Sequence, residues 1–299
     1  MFLIVGGDSE IGGTVFSALK SQDHAVAATT RRRDRVASDR LFLDLAASLD
    51  GWEPPQGATS ACVCAAVARL ADCAADPEAS AHINVSQTLL LVDKLLRRGI
   101  YVLFLSTNQV FDGRVPQVPP DALHSPVSEY GRQKARTESA LREYMARGAP
   151  IGILRLAKVV SPHMALLQRW AADLAKGVPI SAFTDMTLAP TGIASVSSAI
   201  RSLLSERPSG IFQLTGPRDV SNADVGHFLA GKWGVESSLV QPASARAAGL
   251  PAGATPLHTT LDSSALRNRY GIELTDVWQV LESVTGPEIG KSRTMQNAG

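Results

Sequence analysis

Six short apolar segments separated by helix-patterned stretches fill the first half of the chain, and this alternation restricts the possible folds more than any other feature. Residues 2–5, 25–29, 41–45, 61–66, 101–106 and 151–156 read as strands. Helical patterns follow the first segment to about residue 20, run over 79–98, and extend from Tyr130 to about residue 147. Strands that are apolar throughout need cover on both faces, and helices between them supply it. The expectation is an α/β fold: a doubly wound parallel sheet of Rossmann type, with a smaller C-terminal substrate lobe.

Beyond residue 157 the pattern loosens. Residues 165–176 read as helix, 179–190 as extended chain, 191–204 as helix, and 210–215 as a strand returning to the sheet. Helical patterns resume over 222–231 and from 261, while the Ala/Gly/Pro-rich stretch 242–256 reads as a loop over the second lobe. The expected division is a dinucleotide-binding domain of residues 1–160 plus about 187–238, and a substrate lobe of about 161–186 and 239–285. Residues 286–299 lack apolar periodicity and read as a frayed tail. Trp52, Trp170, Trp233 and Trp278 are expected to pack on surfaces.

Charge is nearly balanced, 29 Lys+Arg against 28 Asp+Glu, so no global field favours nucleic acid or an anionic membrane. The longest apolar runs fall far short of the roughly 20 residues that span a bilayer. The start of the chain lacks the basic, apolar and small-residue order of a signal peptide, so a cytoplasmic protein is expected. Three cysteines and six scattered histidines show no metal-ligand spacing, and no metal is expected.

The turn after the first strand, VGGDSEIGG over residues 5–13, points to a nucleotide. Backbone approach to phosphate needs positions without a Cβ and free N–H groups at a helix start. Gly6 and Gly12 have the outer spacing of such a turn, with Ser9 in the middle glycine position and Glu10 and Ile11 between. The bland alternative is a tight turn with no ligand. Arg31 and Arg32, after the second strand, favour the 2′-phosphate of NADP(H) over NAD through bidentate pairing, unless this run is a solvated corner. Asp44 could accept from an adenine amine or cap its own turn. Leu45, Ala65 and Ala66 are placed along the same cofactor edge.

Tyr130 and Lys134 stand four residues apart and therefore on one helical face. An ammonium beside a phenol stabilises the phenolate, which suits proton transfer with a carbonyl or alcohol oxygen. Thr107 adds a hydroxyl from the strand upstream.

These residues resemble the extended short-chain dehydrogenase/reductase superfamily, in its dTDP-4-dehydrorhamnose reductase-like branch. The resemblance is carried by LSTNQVFDG (105–113), YGRQKARTE (130–138), LRL (154–156), APT (189–191) and LDSSALR (261–267), and spans roughly residues 1–285. Asn84, in NVSQT, resembles the opening of a helix on the cofactor side. The resemblance implies a triad of Thr107, Tyr130 and Lys134, with Tyr130 giving a proton to the substrate carbonyl as hydride arrives from the nicotinamide. Lys134 would hold the ribose and depress the Tyr130 pKa, and Thr107 would fix the substrate oxygen. The implied substrate is a nucleotide-activated sugar, and homodimers are common in the class.

The chain departs from the branch at three positions. Ser9 replaces a glycine, which predicts a slightly wider phosphate turn. Gln109 and Lys158 replace aromatic residues on the sugar side, and leave the sugar open. Asn108, Gln109, Lys158 and His163 are the substrate-side candidates; Lys158 could meet an anionic or hydroxyl-rich substrate or pair with Asp185. The alternatives are an epimerase that cycles a bound NAD(P), or a cofactor-binding regulatory subunit like that of methionine adenosyltransferase. Asn108-Gln109 cannot serve as an acid/base pair, which disfavours a dehydratase.

Overall fold

The computed structural model describes residues 1–285, so the expected tail lies outside the described residues. Its first half alternates strand and helix: β1 (Phe2–Val5), α1 (Glu10–Ser21), β2 (Val26–Thr30), β3 (Arg40–Phe42), β4 (Ser60–Val63), α2 (Leu70–Ala75), α3 (Pro77–Ala81) and α4 (Thr88–Arg97). Then come β5 (Tyr101–Thr107), α5 (Glu129–Ala146), β6 (Ile151–Leu156) and β7 (Val159–Val160). The remainder comprises α6 (Ala165–Ala175), β8 (Ile180–Phe183), β9 (Thr187–Leu188), β10 (Thr191–Gly192), α7 (Ile193–Glu206), β11 (Gly210–Leu214), β12 (Val220–Ser221), α8 (Asn222–Lys232), β13 (Val240–Ala243), α9 (Ser264–Tyr270) and α10 (Val277–Val284).

Seven strands form one parallel sheet in the order β11-β6-β5-β4-β1-β2-β3. Alternate residues of each strand feed opposite cores, as period-two geometry requires. Ile4, Cys62, Leu103 and Leu154 pack with α1, α7 and α9. Leu3, Ala61, Val102 and Ile153 pack with α4 and α5. Both faces are covered, so the strands are mostly apolar, and buried polar residues on them such as Ser60, Arg155 and Gln213 have hydrogen-bond partners.

A separate core lies beyond the sheet, where α6, α8 and α10 enclose the parallel pair β8–β13. Residues 193–214 return to the sheet as α7 and β11, whereas 220–232 pack into this second core. Trp170 and Trp233 are buried there, contrary to the surface expectation: Trp170 sits on α6 in line with Leu167 and Leu174, and Trp233, the residue that caps the end of α8, joins the same core as Leu229. Pro242 and Ala243, expected to open a loop, instead end the strand β13 because β8 offers it an edge. Among the described residues, no helix is long and apolar enough to cross a membrane, and no cluster of acidic, His or Cys side chains is placed to hold a metal ion.

The helix expected over 79–98 is interrupted. Residues His82–Gln87 wind as wide π-type turns between α3 and α4. The Thr88 hydroxyl donates to the Ile83 carbonyl five residues back, and the Thr137 hydroxyl of α5 donates to the Asn84 carbonyl. Two side-chain donors thus serve carbonyls that regular winding would pair otherwise.

Candidate active site

The turn joining β1 to α1 is built for close approach. Gly6 has φ +87°, and a Cβ there would lie 2.7 Å from the Ala65 nitrogen. A Cβ on Gly12 would stand 2.3 Å from the Gly6 carbonyl oxygen. Ser9, in the middle glycine position, ties the turn together. Its hydroxyl donates to the Gly6 carbonyl at 2.8 Å and accepts from the Gly12 N–H at 3.1 Å, closing the turn as the N-cap of α1. Glu10 is exposed and accepts from the Ser161 hydroxyl, and Ile11 packs against the core beneath.

Beside this turn lies a cleft of about 270 Å³ lined by Gly6, Ser9, Arg31, Asp44, Leu45, Ala65 and Ala66, seven of the cofactor-side residues expected from the sequence. Asp44 also accepts from the Ala46 N–H at 3.0 Å, so it caps its own turn while facing the cleft. The neighbouring arginines diverge: Arg32 lies 3.7 Å from Asp34, and the Arg33 guanidinium stacks 4.2 Å from the Phe42 ring centre. Asp8, unremarked in the sequence, lines the same cleft and accepts from the Thr30 hydroxyl at 2.5 Å.

Asn84 is buried and does not line the cleft. Its amide clasps the backbone of Val67 in both directions at 2.9 Å and donates to Gln133 of α5 at 2.7 Å. It therefore positions the loop after β4 against the helix that carries Tyr130. The signal for this role was the Asn itself, a side chain with donors and an acceptor that must be satisfied when buried.

Tyr130 and Lys134 do share one face at the start of α5, whose N-cap is Ser128. Lys134 is 3% exposed; its ammonium donates to the Leu105 carbonyl at 2.8 Å and lies 4.3 Å from the Phe104 ring centre and 5.9 Å from that of Tyr130. Burial brings its pKa down to about 8. The expected depression of Tyr130 is not found. Burial, with a smaller contribution from the Cys73 thiol, pushes the phenol well above its ordinary value. The physical reason is that Lys134 spends its hydrogen bond on the Leu105 carbonyl, so the loss of hydration that disfavours the phenolate prevails.

Thr107 ends β5 opposite Leu156 of β6 and is nearly buried. Its hydroxyl accepts from the Gln109 N–H at 3.2 Å and caps a tight turn over Asn108–Val110. Gly131 lets α5 rest on that turn, since a Cβ there would lie 2.1 Å from the Gln109 carbonyl oxygen. The Gln109 side chain accepts from the Ser128 hydroxyl at 3.1 Å, so it braces the helix start. Thr107, Tyr130 and Lys134 are thus brought to one corner of the sheet. Lys158 and His163 are exposed, and Asp185 instead accepts from the Ser244 hydroxyl and the Ala245 and Arg246 N–H groups.

Beneath this corner, Glu138 and Arg155 form a fully buried pair, joined by His124, Gln213 and the Pro120 carbonyl. Burial alone would raise Glu138; the hydrogen bonds from His124 and Arg155 and the charge of Arg155 outweigh it and hold the carboxyl down at about 2.

Similarity to known proteins fits this geometry. The chain is 26% identical over 282 residues to a probable low-salt glycan biosynthesis reductase of Haloferax volcanii, covering 90% of this chain and 91% of that one. It is 26% identical over 282 residues to the dTDP-4-keto-6-deoxy-D-glucose reductase of Streptomyces niveus, covering 93% and 90%. A dTDP-4-dehydrorhamnose reductase from Bacillus anthracis, solved in complex with NADP, shares the fold with a TM-score of 0.79 at 17% identity, over 95% of this chain and 97% of that one. The family model described as the RmlD substrate binding domain matches residues 1–286. The chain therefore belongs to that family, the dTDP-4-dehydrorhamnose reductase-like branch of the extended short-chain dehydrogenases/reductases.

Proposed function

We propose that the protein is an NADP(H)-dependent oxidoreductase that reduces a keto group on a nucleotide-activated deoxysugar. The carrying observation is the Tyr130–Lys134 face of α5 near the Thr107 end of β5, together with a glycine turn after β1 whose Gly6 and Gly12 have no room for a Cβ. That cradle fits a dinucleotide pyrophosphate, and Arg31 and Asp44 lie along the cleft where its adenosine half would be held. When bound, the nicotinamide supplies hydride.

Everything else falls to the chain's own side chains. Tyr130 gives a proton from its hydroxyl to the carbonyl oxygen of the sugar. The phenol is protonated at neutral pH and so starts as the donor, while burial makes it a weaker acid than a free tyrosine. The Thr107 hydroxyl accepts from the Gln109 N–H and donates to Asn108 Oδ1 only at 3.5 Å, a long contact that it would exchange for the same substrate oxygen. Lys134 presents a cation close to the phenol ring, which offsets the negative charge Tyr130 carries once the proton has left.

The test is a fluorescence titration with NADPH and NADH, followed by a screen of nucleotide-linked 4-keto sugars for loss of nicotinamide absorbance. Turnover that drops on Tyr130→Phe supports the reading. Full-rate turnover in that variant sinks the proton-donor role, and cofactor binding without turnover across the panel favours a regulatory subunit instead.

A further inference from the structure

The Asp8 carboxylate draws together donors that a nucleotide phosphate could also use. It accepts from Thr30 at 2.5 Å, and its other oxygen lies 3.4 Å from Arg35 Nη1 and 3.5 Å from Arg40 Nη1. Arg31 borders the same cleft. The two guanidinium contacts are longer than the roughly 2.7–2.9 Å of a well-made charge-assisted bond. Both arginines are therefore gathered at the carboxylate without being tightly committed to it. Arg40 is steadied by the Phe16 ring, 4.9 Å below its guanidinium, and its Nη1 borders Gly7 of the turn. Thr30 closes β2, the strand end at which a dinucleotide fold reads the 2′ position of the adenosine ribose.

We infer that Asp8 holds the place of a 2′-phosphate among Arg31, Arg35 and Arg40, and that it sets how strongly the protein prefers NADPH over NADH. This rests on the dinucleotide reading above. A phosphate arriving here must take the guanidiniums from Asp8 and remain near its negative charge. NADPH affinity is thereby held below what three arginines would give, while a ribose hydroxyl can still be accepted by the same carboxylate. Asp8 thus narrows the gap between the two cofactors from both sides.

The test is titration of the full chain with NADPH and with NADH by nicotinamide fluorescence, read as the ratio of the two dissociation constants. Asp8→Asn keeps the size of the side chain and an acceptor for Thr30, and should shift the ratio toward NADPH about tenfold. Arg35→Gln, at an exposed position, should shift it toward NADH by a similar factor. A ratio unmoved in Asp8→Asn, or moved toward NADH, overturns the inference. If that variant fails to fold, an unmoved ratio in Arg35→Gln overturns it. If the wild-type chain binds neither dinucleotide, the underlying reading fails and takes this inference with it; binding of both with unmoved ratios defeats the inference alone.

Discussion

Arg155 holds Glu138 through hydrogen bonds of 2.7, 3.0 and 3.1 Å, and neither side chain reaches solvent. The pair fastens α5 to β6 one turn below Lys134. Removing the carboxylate leaves a buried guanidinium uncompensated, which costs about 3–5 kcal/mol. Glu138→Gln should therefore lower the denaturation midpoint strongly. The double replacement Glu138→Met with Arg155→Met should recover much of the loss in urea melts, because it leaves no unpaired charge.

The same pair predicts an acid limb. Glu138 has a folded-state pKa of about 2, below the ordinary glutamate value, so the unfolded chain binds the proton more readily. Its stabilisation is complete above the unfolded value and is lost as pH falls through the interval down to about 2. Calorimetry across that interval should show the midpoint falling in the wild type, with a shallower fall in the Glu138→Met, Arg155→Met variant.

Lys134 sets a limb on the alkaline side. Its folded pKa of about 8 lies below the lysine norm, so the unfolded state binds more protons between the two values. Burying the ammonium therefore costs stability below about pH 8, and the cost fades as pH rises toward the ordinary lysine value. A cofactor held by the ammonium form should bind more weakly as pH climbs through about 8 in the free protein. Titrations of NADPH at several pH values should show this slope, and Lys134→Met should abolish it.

Gly131 offers a steric test of the active corner. Gly131→Ala places a methyl 2.1 Å from the Gln109 carbonyl oxygen, so α5 and the Asn108–Val110 turn must separate. We expect a stability loss of about 1–3 kcal/mol. Turnover should fall more than cofactor affinity, because Tyr130 and Thr107 sit on the two parts that move. Steady-state kinetics beside a cofactor titration would separate the two effects.

The sheet was legible because its strands are short and mostly apolar on both faces, a pattern that double coverage explains. Residues 151–156 were placed to the residue. The layout of the candidate site was legible where one helix face or one turn carries it, as with the shared face of Tyr130 and Lys134 and the tight turn of Gly6 and Gly12. What escaped depends on contacts between distant segments. Asp8 meets Arg35 and Arg40 only once β2 and β3 lie side by side, and His124 reaches Glu138 only after the loop following β5 folds back. The expected lowering of the Tyr130 phenol failed for the same reason: spacing gives a shared face, but only the fold decides whether Lys134 serves its neighbour or the Leu105 carbonyl. Trp170 and Trp233 were misplaced because the β8–β13 pair, which shares their core, has no signature of its own.

The widened winding at His82–Gln87 makes chain length there as consequential as residue identity. Deleting one residue could restore regular α-helical winding, and it would also turn the preceding residues by about 100° relative to α4. The Asn84 amide would then swing away from Val67 and Gln133, and the loop after β4 would lose its tether to α5. A frame-preserving loss of a single codon in this stretch, with every named active-site residue intact, would dismantle the site from behind.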